Sequence, residues 1–171
     1  GLMSKHKKKL RNIKMLITDV DGCLTDGTIW LDSNLHWRRS FNVLDGVGLK
    51  LLQAEGYEIG VITGGNAEDV RMRVEFLGIR HFFDGAADKI PPFRKILKAT
   101  GLKPSEIAYI GDEIYDLPIM KEVGFSACPP RSESSVLKTV DHVCKTEGGY
   151  GAVREVCDLI LQHGSRAKTK R

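Results

Sequence analysis

Apolar residues along this chain come in short blocks whose internal spacing changes from one block to the next. Met15 to Val20, Glu58 to Ile62, Ile107 to Ile110 and Phe125 to Ala127 are largely apolar runs, each of a length that suits a strand buried on both faces. His81 to Asp84 and Asp141 to Cys144 predict two more strands. Between them the spacing turns helical. Val47, Leu51 and Leu52 recur along Asp45 to Glu55, which Gly56 stops, and Asn66 is placed to cap a helix through Leu77 that has Glu68 and Asp69 in its first turn and Gly78 at its end. Further helices are predicted over Lys89 to Thr100, Asp116 to Val123, Ser134 to Thr139 and Tyr150 to Gln162. Thr28 to Leu31 and His36 to Val43 flank the turn-rich Asp32-Ser33-Asn34 and predict a β-hairpin flap at about 27–43. Strand and helix alternating at this pitch imply an α/β fold: a single doubly wound, mostly parallel, Rossmann-like sheet with helices on both faces. No internal repeat or low-complexity segment interrupts it.

Composition narrows the picture. With 171 residues and 42% hydrophobic content the chain supports one sizeable core rather than two, so a single domain is expected over 15–163. The net charge of +4 is misleading, because residues 1–14 and 164–171 hold ten Lys/Arg (Lys5, Lys7, Lys8, Lys9, Arg11, Lys14, Arg166, Lys168, Lys170, Arg171) and no acid. The rest carries sixteen basic against twenty-two acidic residues, a body near −6. Both ends are expected to be basic, disordered tails, and since neither interleaves aromatics with its charges, nucleic-acid arms are not expected. No window approaches the roughly eighteen apolar residues of a membrane span, and the first ten residues lack a signal-peptide core, so no membrane association and a cytoplasmic location are expected. Cys23, Cys128, Cys144 and Cys157 form no C-x-x-C pair and read as reduced, buried thiols. The histidines show no H-x-x-x-H pairing, which argues against a histidine-based metal site.

In a sheet of this kind ligands bind beyond the carboxyl ends of the strands. There the sequence places Asp19-Val20-Asp21-Gly22, Thr63-Gly64-Gly65-Asn66, Ala86-Ala87-Asp88-Lys89 and Gly111-Asp112-Glu113, with Asp116 four residues after Asp112. Alternate residues of an extended segment share a side, so Asp19 and Asp21 point one way and Val20 the other. Two close carboxylates joined by Asp112 from a neighbouring strand repel one another unless a cation sits among them. Oxygen-only ligands suit Mg²⁺, which keeps several waters and takes a phosphate oxygen as a further ligand. Lys89 and the Thr63 hydroxyl, with the backbone N–H groups after it, would hold the remaining phosphate oxygens and the charge of the transition state. Taken alone each piece has an ordinary explanation as a turn former or cap. Their order, each at a strand end, points to phosphate chemistry.

The sequence DxDG, then TG, then K, then GDxxxD resembles the haloacid dehalogenase superfamily of phosphatases over residues 15–127. The resemblance implies that Asp19 attacks phosphorus to form an aspartyl phosphate, and that Asp21 protonates the leaving alkoxide and then activates water. It implies Mg²⁺ held by Asp19, the Asp21 carbonyl and Asp112, with Asp116 and Glu113 in support. Catalysis would rest on Asp19, Asp21, Thr63 and Lys89, and substrate contacts on Thr63, Gly64, Gly65, Asn66, Lys89 and Arg71. Receiver domains use similar groups, but their phosphorylated aspartate lies on a middle strand, and no lone aspartate of that kind precedes Thr63 here. Neither position where the superfamily inserts a cap domain is long enough to hold one, so a capless enzyme is expected.

An open site calls for a macromolecular substrate or for closure by another subunit. Ile29, Trp30, Leu31, Trp37 and Phe41 are too many large apolar groups for a solvated flap, and favour closure by a neighbour, although packing on the same subunit's core is the alternative. The segments DGCLTDGTIW, FNVLDGVGLKLL, RVEFLGI, DKIPPFRKIL, IAYIGDEIYDLPIM and GGYGAVREVCDLIL closely resemble the family of 3-deoxy-D-manno-octulosonate 8-phosphate phosphatases. That resemblance implies a homotetramer acting on a sugar acid phosphate in lipopolysaccharide precursor synthesis. The chain departs from the family pattern at Gly65, where the family commonly has arginine, at Glu113 for aspartate, and at Cys128-Pro129-Pro130-Arg131. Arg71, Arg73 or Arg131 are the candidate replacement cations. A phosphatase for a nine-carbon sugar acid 9-phosphate or another small phosphate ester, and a non-catalytic oligomerising module, remain as alternatives.

Overall fold

The computed structural model describes residues 2–167. Six parallel strands, β1 (Met15–Thr18), β4 (Glu58–Ile62), β5 (His81–Phe83), β6 (Ile107–Ile110), β7 (Phe125–Cys128) and β8 (His142–Val143), form one sheet in the order β5-β4-β1-β6-β7-β8. The antiparallel pair β2 (Trp30–Leu31) and β3 (Trp37–Arg38) stands apart as a hairpin. The helices are α1 (Leu2–Leu10), α2 (Val43–Ala54), α3 (Glu68–Phe76), α4 (Ile90–Thr100), α5 (Leu117–Met120), α6 (Ser134–Thr139) and α7 (Ala152–His163). Among the described residues no helix is long and apolar enough to cross a membrane.

The period of two along each strand divides the core between the sheet's faces. Leu16, Ala108 and Ile110 pack with Leu49 and Leu52 of α2, Val74 of α3 and Val156 and Ile160 of α7, whereas Met15, Ile17, Ile107 and Tyr109 pack with Phe93 and Ile96 of α4 and Ile119 of α5. Because both faces are covered, the strands read as continuous apolar runs. β1 lies between β4 and β6. The chain leaves it first toward β4 and β5 and later crosses to β6 and β7, so the direction of winding reverses at β1 and opens a crevice at its carboxyl end.

Four expectations need correction. The N-terminal segment is not a disordered tail: α1 docks on α7 and β7 through Leu10, and Ile13 after it is fully buried. Lys9 pairs with Asp141, and Lys14 with Glu106 at 2.7 Å. The lysine run masked an apolar anchor of two residues. Gly164 to Ala167 also pack back, Ser165 N–H donating to the Ile13 carbonyl and Arg166 N–H to the Tyr57 hydroxyl, while the rest of the expected C-terminal tail, 168–171, lies outside the described residues. Finally, the residue at the start of α3 is Ala67, not Asn66, whose side chain is taken up by Arg71. The helix expected from Asp116 is a 3₁₀ turn over Ile114–Asp116 running into the short α5.

Candidate active site

Asp19 is the first residue past β1. Its N–H donates to the Ile110 carbonyl at 3.0 Å, so the β1–β6 ladder itself fixes where the carboxylate begins. The Val20 N–H donates to Asp19 Oδ1 at 2.7 Å. The chain then wraps around the Val20 carbonyl, which accepts from the N–H groups of Cys23, Leu24 and Thr25. Gly22 sits in this turn at φ +84°, and a Cβ there would lie 2.0 Å from Asp112 Oδ2. Only glycine lets the first loop and the Asp112 loop approach so closely.

Lys89, immediately before α4, is buried between two carboxylates. Its Nζ lies 3.1 Å from Asp19 Oδ1 and donates to Asp116 Oδ1 at 2.7 Å. Asp116 Oδ1 also accepts from the Tyr109 hydroxyl, and its Oδ2 accepts the backbone N–H groups of Asp112 and Glu113 at 3.0 and 3.1 Å. One fully buried carboxylate thus holds both the lysine and the loop that presents Asp112.

The electrostatics of this cluster favour a cation. Burial pushes the Asp19 carboxyl well above its ordinary range; Lys89 opposes this, and the charges of Asp116 and Asp112 add to it. Burial likewise raises Asp112 to about 6. Lys89, which burial alone would lower, is held above its usual value by Asp19 and Asp116. Ligand atoms of Asp19, Asp112 and the buried Cys23 lie within 4.8 Å of one another. Two crowded carboxylates, destabilised as anions, are a donor set that fits a hard divalent ion such as Mg²⁺; the thiol is too soft to add to it.

These groups floor a cleft of about 390 Å³ lined by Asp19, Asp21, Thr63, Gly64, Gly65, Ala86, Ala87, Lys89, Asp112, Glu113 and Tyr115. Thr63 follows β4, where its N–H donates to the Phe83 carbonyl and its own carbonyl accepts from Ala86 N–H, so the β4 and β5 loops are laced together. Asp21 also lines an adjoining cleft of about 470 Å³, along with Asp112, Arg131, Glu147 and Tyr150. The cleft therefore brings together Asp19, Asp21, Thr63, Gly64, Gly65, Lys89, Asp112 and Glu113, with Asp116 beneath them. It does not include Asn66 or Arg71: Arg71 bonds Asn66 and reaches Asp84 at 3.2 Å, away from the lining. The sequence reading missed Arg39, which grips Asp21 with Nε–Oδ1 at 2.6 Å and Nη2–Oδ2 at 3.2 Å. No strand-end motif marks that position; the only signal was its place at the foot of the hairpin.

A buried Asp–Lys–Asp network with a second aspartate pair, at the switch point of a capless parallel sheet, defines a metal-dependent phosphoric monoester hydrolase of the haloacid dehalogenase type. A family model described as haloacid dehalogenase-like hydrolase matches residues 42–124. The 3-deoxy-D-manno-octulosonate 8-phosphate phosphatase KdsC of Escherichia coli strain K12 is 39% identical over 153 residues, 90% of this chain and 81% of the relative. Among solved structures, the phosphatase of that name from Moraxella catarrhalis, in complex with magnesium, phosphate and KDO, is 36% identical with a TM-score of 0.92, covering 96% of this chain and 95% of that one. The Yersinia pestis phosphatase is 36% identical with a TM-score of 0.92 over 95% and 88% of the two chains. The chain belongs to the 3-deoxy-D-manno-octulosonate 8-phosphate phosphatase family.

Proposed function

We propose that this protein hydrolyses 3-deoxy-D-manno-octulosonate 8-phosphate to the free sugar acid and phosphate, a step in lipopolysaccharide precursor synthesis. The observation that carries the reading is the convergence of Asp19, Lys89 and Asp112 on one cleft beside the Thr63-Gly64-Gly65 loop. Asp19 is the nucleophile, held by the β1–β6 ladder and by the Val20 N–H so that its carboxylate meets phosphorus without reorganisation. Asp21 protonates the leaving sugar oxygen and then takes the proton of the water that hydrolyses the aspartyl phosphate. Lys89 stabilises the charge on the phosphoryl oxygens, its Nζ kept in place by Asp116. The Thr63 hydroxyl and the backbone of Gly64 and Gly65 bind the phosphate from the β4 side. Asp19 and Asp112, with the Asp21 carbonyl, would hold Mg²⁺, which when bound neutralises phosphate charge and orients the ester.

The protein acts as an oligomer, a homotetramer by the family resemblance. Supporting this, Ile29, Trp30, Leu31, Leu35 and Trp37 of the hairpin and Val43, Leu44, Val47 and Leu51 of α2 are all exposed within one stretch of chain, more apolar surface than a lone subunit ordinarily leaves to water. The test is Mg²⁺-dependent phosphate release from the eight-carbon ester beside a nine-carbon sugar acid 9-phosphate. Preference for the latter would keep the chemistry and change the substrate.

A further inference from the structure

Arg39 follows the hairpin and is nearly enclosed, its side chain 9% exposed. Its guanidinium meets Asp21 through both Nε and Nη2, in the parallel two-bond fork that arginine makes with a carboxylate, and its Nη1 lies 3.1 Å from Asp69 Oδ1 at the start of α3. Nη2 is also 3.8 Å from where a Cβ on Gly65 would stand. The guanidinium therefore lies against Asp21 and beside Gly65, two residues of the cleft lining, without itself lining the cleft. A Cβ at position 65 would be in ordinary van der Waals contact with that guanidinium.

This arrangement has a chemical consequence. Both Asp21 oxygens are engaged by one cation, yet the proposed role of Asp21 requires one of them to reach the leaving oxygen of the ester. A neutral sugar phosphate offers Arg39 nothing in exchange for Asp21. A substrate carboxylate offers the same planar fork, so the swap costs little, and the Asp69 contact keeps the guanidinium near the cleft while it happens.

The other two cationic candidates are differently placed. Arg71 is bonded to Asn66 and Asp84 and not to Asp21. Arg131 is 83% exposed, pairs with Glu147 at 3.0 Å in the adjoining cleft, and holds no group of the proposed chemistry.

We propose that Arg39 is the specificity-determining residue of this site: it reads the carboxylate of an acidic substrate, and by moving its fork from Asp21 to that carboxylate it frees Asp21 for proton transfer. The inference rests on the phosphatase reading above and names the residue that recognises the acid group of its substrate.

The test measures kcat and KM with Mg²⁺ for 3-deoxy-D-manno-octulosonate 8-phosphate and for glucose 6-phosphate, in the wild type, Arg39→Gln, Arg39→Lys and Arg131→Ala, with melting temperatures as a check on folding. In Arg39→Gln the ratio of kcat/KM for the acid ester over the neutral one is expected to fall about 10- to 100-fold, the acid ester losing mainly in KM while kcat for the neutral ester rises. Arg39→Lys is expected to recover part of the KM, because it restores the charge without the fork. Equal losses for both esters in Arg39→Gln, or collapse of the ratio in Arg131→Ala instead, would overturn the assignment alone. A wild type that releases phosphate from neither ester would overturn the phosphatase reading and this inference with it.

Discussion

Asp19 and Lys89 make opposite contributions to stability, and substitution separates them. Asp19 is buried beside Asp112 and Asp116, and the upward shift of its carboxyl means that folding disfavours its charged form. Asp19→Asn is therefore expected to abolish phosphate release while melting no lower than the wild type in metal-free buffer; a clearly lower melting temperature would contradict this account of the cluster. Lys89→Met should both inactivate and destabilise, because it leaves Asp116 a buried charge without its cation, a loss of about 3 to 5 kcal/mol readable by urea denaturation. The residues that could be read from sequence were those whose position relative to a strand end is set by the backbone: Asp19, Thr63, Lys89 and Asp112. Arg39 was not legible, because its role depends on a hairpin folding back over eighteen residues of chain to reach Asp21.

Among the elements, α7 shows how a buried acid can replace a missing cap. The residue in the capping position before it, Gly151, has no side chain to offer, and the Arg154 N–H is instead taken by Asp45 Oδ1 of α2 at 2.9 Å. Burial raises the Asp45 carboxyl from 3.8 to about 6, the N–H bonds and arginines only partly opposing it. A raised carboxylate favours the folded state when protonated, so its contribution is complete below about pH 4 and is lost as pH rises through about 6, a change of about 3 kcal/mol. Asp45→Asn keeps the acceptor and removes the titration. Its stability relative to the wild type should be greater at pH 8 than at pH 5, as read from urea midpoints; a pH-independent difference would contradict the assignment. The pattern of apolar positions revealed this helix and all the sheet strands, because burial on both faces writes itself into continuous runs. It hid α1, whose apolar anchor, Leu10 with Ile13 beyond it, is diluted by lysines that face outward.

For the whole molecule the question is what covers the hairpin. Its tip is held by Asp32, whose Oδ1 accepts the N–H groups of Asn34 and His36 and whose Oδ2 accepts Arg38 Nε, so the exposed Trp30 and Trp37 are displayed on an ordered ribbon. Replacing both tryptophans by glutamate is expected to reduce the mass measured by light scattering to that of a smaller assembly and to raise KM for the acid ester. An unchanged mass would contradict the proposal that the two tryptophans hold a subunit contact. The alternation of strands and helices predicted the doubly wound sheet and the absence of a cap, since both follow from segment lengths. Assembly was inferred from a surplus of apolar residues in a flap too small to bury them, and the light-scattering mass is its test.

The cleft is assigned to Mg²⁺-dependent hydrolysis of an acidic sugar phosphate. Its most direct test is phosphate release from 3-deoxy-D-manno-octulosonate 8-phosphate, measured beside a nine-carbon sugar acid 9-phosphate and glucose 6-phosphate, with and without a chelator and with Asp19→Asn as blank. Turnover is expected to prefer the eight-carbon ester, to vanish with the chelator, to return with Mg²⁺ and to be absent in the variant. Release that survives in Asp19→Asn, or that shows no preference for a substrate bearing a carboxylate, would contradict that assignment.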